Sequence, residues 1–252
     1  MNSETLVLGA TGYIGQNVLA AFRRAGLPVT GWSSKDCDLA VDPLSELSDF
    51  GAVVNCAGEP DEDRAVTDRE YRRKMCLVNT VAPGRIRRAR KGYFVHVPTP
   101  FELDLTIDSP YIESKRLGNV LANANLNVWS GWLYGGTGSR QFDSVARDGV
   151  DKELLIDNVR VANPTPMEYF ADTVVHLVNH KITGNVLVFD REPVTAEQLA
   201  KDILGIWGPH WRVGRYQDAS IRPLDWSHNR RTFPSLRCRR TEEGFCFESP
   251  VR

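Results

Sequence analysis

Tyr111 and Lys115 stand four positions apart in "SPYIESKR". On a helix that spacing puts both on one face. A phenol with an ammonium beside it is an acid–base pair. Alone, with an ordinary pKa of about 10, the phenol exchanges protons poorly at neutral pH. A neighbouring positive charge favours the phenolate and brings the group into working range. Thr99 ends "HVPT", and its hydroxyl can hold a carbonyl oxygen beside the phenol. Near the start, "LGATGYIG" (8–15) spaces Gly9, Gly12 and Gly15 three apart. Glycines at a strand-to-helix turn let the backbone approach a pyrophosphate, and the helix N-terminus favours the anion. Each feature alone has a plain structural explanation: a surface helix pair, a strand-end cap, a tight turn. Together they read as a dinucleotide cradle with acid–base chemistry behind it.

The elements that must position these groups are legible in the hydrophobic pattern. "TLVLGA" reads as a strand, the glycine turn follows, and "YIGQNVLAAFRRAG" has helical periodicity with Gly26 as its stop. "LPVTGWS", "GAVVNCAG" (51–58), "YFVHVPT" (93–99) and "LNVWSGWLYG" read as further strands. "DREYRRKMCLVNT", "PGRIRRARK" with Pro83 in its first turn, and "YIESKRLGNVLANA" read as helices between them. Strands alternating with helices predict an α/β fold, a Rossmann-type doubly wound parallel sheet with helices on both faces. Past Gly135 the pattern weakens. "KELLIDNVRVANPTPM" mixes strand and loop signals, "EYFADTVVHLVNH" reads as a helix, "GNVLVFD" as a strand and "TAEQLAKDILGIW" as a helix. The expected organisation is a cofactor-binding core over residues 1–135, completed by about 166–190. Residues 136–165 and 191–252 then form a small C-terminal substrate-binding lobe.

In a dinucleotide fold an acid about twenty residues past the glycines holds the ribose 2′-hydroxyl. Here the second strand ends in "GWSSK", which offers Trp32, Ser33, Ser34 and Lys35 instead. Hydroxyls and a lysine bind a 2′-phosphate where an acid would repel it, so NADP is expected over NAD. The pocket is completed by the turn residues Thr11, Tyr13 and Ile14, and by Cys56, Ala57 and Gly58 of "NCAG".

The formal net charge of −1 and the lack of a long basic run exclude a nucleic-acid partner as an expectation. Five cysteines without metal spacing read as free thiols in a reducing cytoplasm, with no metal. No apolar run reaches the roughly 18 residues of a membrane span, and no basic segment precedes the first apolar run as in a signal peptide.

With these residues in place, the chain resembles the extended short-chain dehydrogenase/reductase family. The resemblance rests on "GATGYIG", "NCAG", the Asn of "LVNT", Thr99 and "YIESK". It is closest to the nucleotide-sugar 4-ketoreductases of the dTDP-4-dehydrorhamnose reductase type. "HVPTPF" is similar to that subgroup's His-hydrophobic-Ser-Thr-Asp-Tyr strand end, "SGWLYG" to its Thr-Ser-Trp-Val-Tyr-Gly, and "NPTPMEYFADTV" to its Gly-x-Pro-Thr segment. The late "RPLDWSHNR" is similar to its Arg-Pro segment. The resemblance implies an NADPH-dependent reduction of a keto group on a sugar-like, nucleotide-linked substrate, carried by Thr99, Tyr111 and Lys115. It also implies contacts of Asp38 and Leu39 with the adenine, of Lys115 with the nicotinamide ribose, a supporting role for Asn79, substrate contact by Trp132, and a homodimer. Arg160 is a further substrate candidate, because a guanidinium suits phosphate. Two features depart from the subgroup. Pro98 and Pro100 flank Thr99, and only twelve positions separate Thr99 from Tyr111. Two other activities stay open here: epimerisation or dehydration of a nucleotide sugar with retained NAD(P), and a non-catalytic NADP-binding regulatory subunit. Dehydration calls for an acid pair beside Thr99, where Pro100 and Phe101 stand.

Overall fold

A computed structural model describes residues 4–103, 109–138, 154–157, 161–189, 194–195, 213–216, 236–241 and 244–248. The chain divides into two compact units. One comprises Met1–Trp129 and Ala171–Leu187, the other Ser130–Phe170 and Val188–Arg252.

The first unit is a parallel sheet with helices against it. Its elements are β1 (Thr5–Leu8), α1 (Tyr13–Arg24), β2 (Val29–Trp32), β3 (Ala52–Asn55), α2 (Glu62–Thr67), α3 (Arg69–Cys76), α4 (Ala82–Ala89), β4 (Tyr93–His96), α5 (Pro110–Ala122) and β5 (Leu126–Ser130). The sheet runs β5-β4-β3-β1-β2, and each of these pairings is parallel. Every residue of β1 and β3 is buried. That is why "TLVL" and "AVVN" read as unbroken apolar runs rather than alternating ones: a parallel sheet covered on both faces has no wet side. Leu6, Leu8, Val53, Phe94, Ile86 and Leu47 belong to one buried core cluster.

Two helices predicted as separate are joined. α3 passes through a π-helical turn, Leu77–Val81, into α4. A single wide turn of this kind places Asn79, 1% exposed, toward the interior. The short helix α2 has no apolar stripe to announce it. Asp61 starts it, its carboxylate accepting from the Arg64 amide.

The remaining elements are β6 (Trp132–Tyr134), β7 (Leu154–Asp157), β8 (Val161–Ala162), β9 (Pro164–Pro166), α6 (Met167–Asn179), β10 (Gly184–Val188), β11 (Val194–Thr195), β12 (Val213–Tyr216), β13 (Leu236–Thr241) and β14 (Gly244–Glu248). "LNVWSGWLYG" is two strands, not one. It breaks at Gly131, where a Cβ would sit 1.7 Å from the Asn163 carbonyl oxygen. β6 pairs with β9 in parallel, β12 with β7 in parallel, and β13 with β14 as an antiparallel hairpin. α6 buries Phe170, Val174, Leu177 and Val178. The helix expected in "TAEQLAKDILGIW" lies outside the described residues after Thr195, which is itself in β11. No helix among the described residues is long and apolar enough to cross a membrane.

Candidate active site

The turn after β1 is built as its glycines require. Gly9 has φ +73°, and a Cβ on it would lie 2.7 Å from Ala57 Cα. The β1–α1 and β3 loops therefore touch backbone to backbone. A Cβ on Gly15 would meet the Gly9 carbonyl oxygen, so α1 packs directly on the turn. Gly12 starts α1 with no side chain capping it. The N-terminus of that helix, uncapped by Gly12, is the end that favours an anion.

Beside this turn lies a cleft of about 420 Å³. Gly9, Thr11 and Gly12 line it, as do Trp32, Ser33, Ser34, Asp38 and Leu39. Cys56, Ala57 and Gly58 close its floor. The sequence placed all of these in the cofactor pocket. Tyr13, Ile14, Gly15, Lys35, Asn79, Tyr111 and Lys115 are not among its lining residues. Asp36, which the sequence reading passed over, accepts from both the amide and the hydroxyl of Ser33 at 2.7 Å. Those two bonds hold its carboxyl below the usual carboxylate range. The positive charge comes instead from α3, whose Arg73 and Lys74 line the cleft, Lys74 being ion-paired to Glu59. Nothing in the local sequence marks them, because "REYRRKMC" has several equivalent basic residues. A helix N-terminus, a glycine turn and two cations fit a dinucleotide phosphate group.

The acid–base group is assembled on α5 and the end of β4. Ser109 caps α5, its hydroxyl accepting from the Ile112 amide at 3.2 Å, and Pro110 fills the first turn. Thr99 is 7% exposed, and its side chain acts on the Tyr111 phenol. The Tyr111 ring rests against the small cluster Ala65, Tyr71 and Met75, so α2 and α3 fix its position. Burial pushes the phenol above its ordinary pKa, Glu102 and Glu62 add to this, and Thr99 opposes it. Burial dominates in the protein by itself; the downward pull expected from the sequence is that of Lys115 together with a positive nicotinamide ring. Lys115 is 5% exposed, and its ammonium donates to the Val97 carbonyl at 3.3 Å. Burial lowers its pKa, which the charge of Glu102 partly restores.

Asn79 joins the two halves. Its Nδ2 donates to the Glu59 carbonyl and to Ser114 Oγ, both at 3.0 Å, and its Oδ1 accepts from the Glu59 amide at 2.9 Å. A Cβ on Gly58 would lie 3.5 Å from Asn79 Oδ1 and 3.8 Å from Lys115 Nζ. The floor of the cleft thus adjoins the lysine. Asn55 adds a second brace. Its Oδ1 accepts from the Ala57 amide at 3.1 Å, while its Nδ2 stands 3.2 Å from His96 Nδ1. Burial and the Lys115 charge keep the His96 pKa well below its ordinary value. An amide donating to Nδ1 of a neutral ring leaves the proton on Nε2. Burial pushes the Cys56 thiol up to about 12, so it is no nucleophile.

Glu102, 4% exposed, belongs to this cluster and was not foreseen. A lone acid after "TPF" carries no periodic signal. Trp132, half-buried, stands in β6 of the second unit. Arg160 lies outside the described residues. No group of His, Cys, Asp or Glu among the described residues is suited to a metal ion.

The sequence model of the NAD dependent epimerase/dehydratase family matches residues 5–124. That span holds the glycine turn, Thr99, Tyr111 and Lys115, and it bears out the family resemblance read from the sequence. No curated protein sequence matches the chain. Among solved structures, the chain is similar to dTDP-4-dehydrorhamnose reductase from Bacillus anthracis in complex with NADP, at 16% identity over 86% of this chain and 85% of that one, with a TM-score of 0.73. It is similar to a hypothetical dTDP-4-dehydrorhamnose reductase from Sulfolobus tokodaii, at 20% identity over 93% and 96%, with a TM-score of 0.71. An NAD dependent NDP-hexosamine 5,6-dehydratase involved in tunicamycin biosynthesis matches at 16% identity over 92% and 91%, with a TM-score of 0.70. At such identities the likeness establishes the doubly wound fold.

Proposed function

We propose that this protein is an oxidoreductase that uses NADPH to reduce a keto group on a sugar-like, nucleotide-linked substrate. The observation that carries this reading is the buried pair Thr99 and Lys115, with Tyr111 one helical turn from Lys115 on α5 and Lys115 adjoining Gly58 of the glycine-lined cleft. NADPH, when bound, supplies the hydride. Tyr111 gives its proton to the oxygen of the reduced carbonyl. Its raised pKa keeps that proton in place until it is needed. Thr99 holds the same oxygen through its hydroxyl. Lys115 provides fixed positive charge next to the cleft floor, and Asn79 locks that floor to α5.

The preference for NADP rests on Arg73 and Lys74 in the cleft. A second reading uses the same site with retained NAD, as an epimerase or dehydratase. The Asp36 carboxylate, four residues past β2 and bonded to the cleft residue Ser33, favours it, since an acid after β2 suits a ribose hydroxyl. Incubation with a panel of nucleotide-linked keto sugars separates them. A reductase consumes NADPH mole for mole with ketone, and an epimerase or dehydratase converts substrate without net consumption. A regulatory subunit binds NADPH and converts nothing. Tyr111→Phe is expected to lower ketone reduction by about 10³-fold or more while NADPH affinity changes less than about twofold. Turnover retained in that variant overturns the proton-donor role.

A further inference from the structure

Among the described residues only two Asp, Glu, Lys or Arg side chains are buried, Glu102 and Lys115. They are of opposite sign and occupy the two segments that carry Thr99 and Tyr111. Glu102 lies on the 3-10 turn Pro100–Leu103, and its amide donates to the Thr99 carbonyl at 3.2 Å. Its Oε1 accepts from Asn119 Nδ2 at 2.6 Å and from Trp129 Nε1 at 3.1 Å. Arg116 Nε donates to its carbonyl oxygen at 3.2 Å. Asn119 and Arg116 share α5 with Tyr111 and Lys115, and Trp129 is on β5. Oε2 is buried and has no hydrogen-bond partner. A clamp on Asn119 and Trp129 needs only one oxygen, which a glutamine would supply. A carboxyl with one bare oxygen costs more than an amide there, unless its charge has an opposite charge to face.

We propose that Glu102 is a positioning residue: its carboxylate is the counter-charge that keeps the Lys115 ammonium and the Tyr111 phenol protonated, while Oε1 pins the helix bearing both. This rests on Tyr111 being the proton donor. A negative charge favours the protonated form of each titratable neighbour. On α5, the charges of Lys115 and Arg116 act on Glu102, and Glu102 acts on the Tyr111 phenol. From β5 it meets the uncharged indole of Trp129. Burial raises Glu102 itself to about 7. The counter-charge therefore appears as the pH rises through neutrality, when the phenol and the ammonium begin to need it.

Glu102→Gln keeps the clamp and removes the charge. Two measurements on the full chain test the proposal. The first needs no turnover. Trp129 reports the state of its acceptor, so the tryptophan fluorescence of the native protein minus that of E102Q should show a transition at about pH 7. Its absence overturns the proposal. The second is kcat for ketone reduction against pH. E102Q should match the native protein within about twofold at about pH 6 and fall about tenfold below it at about pH 9, with KM unchanged. A loss uniform across pH means a structural role only and overturns the proposal. Should neither protein reduce any ketone, the proton-donor reading falls by itself. The fluorescence transition then still decides whether Glu102 ionises in this cluster.

Discussion

At the scale of single residues, the site is governed by charges held away from water. Lys115 and Glu102 are both buried, and both have pKa values moved toward neutrality. For Glu102 the consequence for stability has a definite sign. Its folded value of about 7 lies above the ordinary 4.5. The proton it retains stabilises the fold fully below about pH 4.5, and that contribution is lost as the pH rises through about 7. Glu102→Gln keeps the neutral form at every pH. It should unfold at the native temperature near pH 4.5 and at a higher one above pH 7, by up to about 3 kcal/mol. Thermal melts at several pH values check this. The variant would then be more stable and less active at high pH, a trade expected of functional sites. The sequence showed Tyr111, Lys115 and Thr99 through their types and spacing. It could not show Glu102, because burial of a lone acid is decided by what packs over it.

At the scale of elements, α5 does most of the positioning. Gly118 lets it lie against the π-helical turn, where a Cβ would sit 1.8 Å from the Asn79 carbonyl oxygen. That approach puts Ser114 within 3.0 Å of Asn79 Nδ2 and fastens Thr80 Oγ1 to the Ser114 carbonyl at 2.8 Å. Gly118→Ala must push the two helices apart. We expect a loss of about 1–3 kcal/mol, read as a lower melting temperature, with weakened NADPH binding because Asn79 also holds the cleft floor. Ser109→Ala removes only the cap and should cost about 1 kcal/mol, with NADPH affinity kept. Comparing the two separates loss of helix stability from loss of position. The helices themselves were legible from their apolar stripes. The π-helical turn was not, since "LVNT" reads equally well as the end of an ordinary helix, and only the contact at Gly118 reveals why the backbone widens there.

At the scale of the whole molecule, the question is which dinucleotide the cleft takes. A ligand that binds only the folded state raises its stability by about 2.7 kcal/mol at a hundredfold excess over Kd. NADPH should therefore raise the melting temperature more than equimolar NADH, and Arg73→Ala should narrow the gap while leaving the NADH shift nearly unchanged. An NADH shift as large as that of NADPH would favour the NAD reading that Asp36 supports. The sequence by itself determined the order of the core strands and helices apart from α2, the glycine turn, and the spacing of Thr99, Tyr111 and Lys115. Those depend on local periodicity, on backbone freedom and on spacing within a segment. Only the tertiary structure decided that α3 brings cations to the cleft, that Asp36 engages Ser33, and that Glu102 is buried against Asn119 and Trp129. Each of these joins segments distant in the chain or turns a side chain inward, and neither distance in space nor depth from water is written in the local pattern of residues.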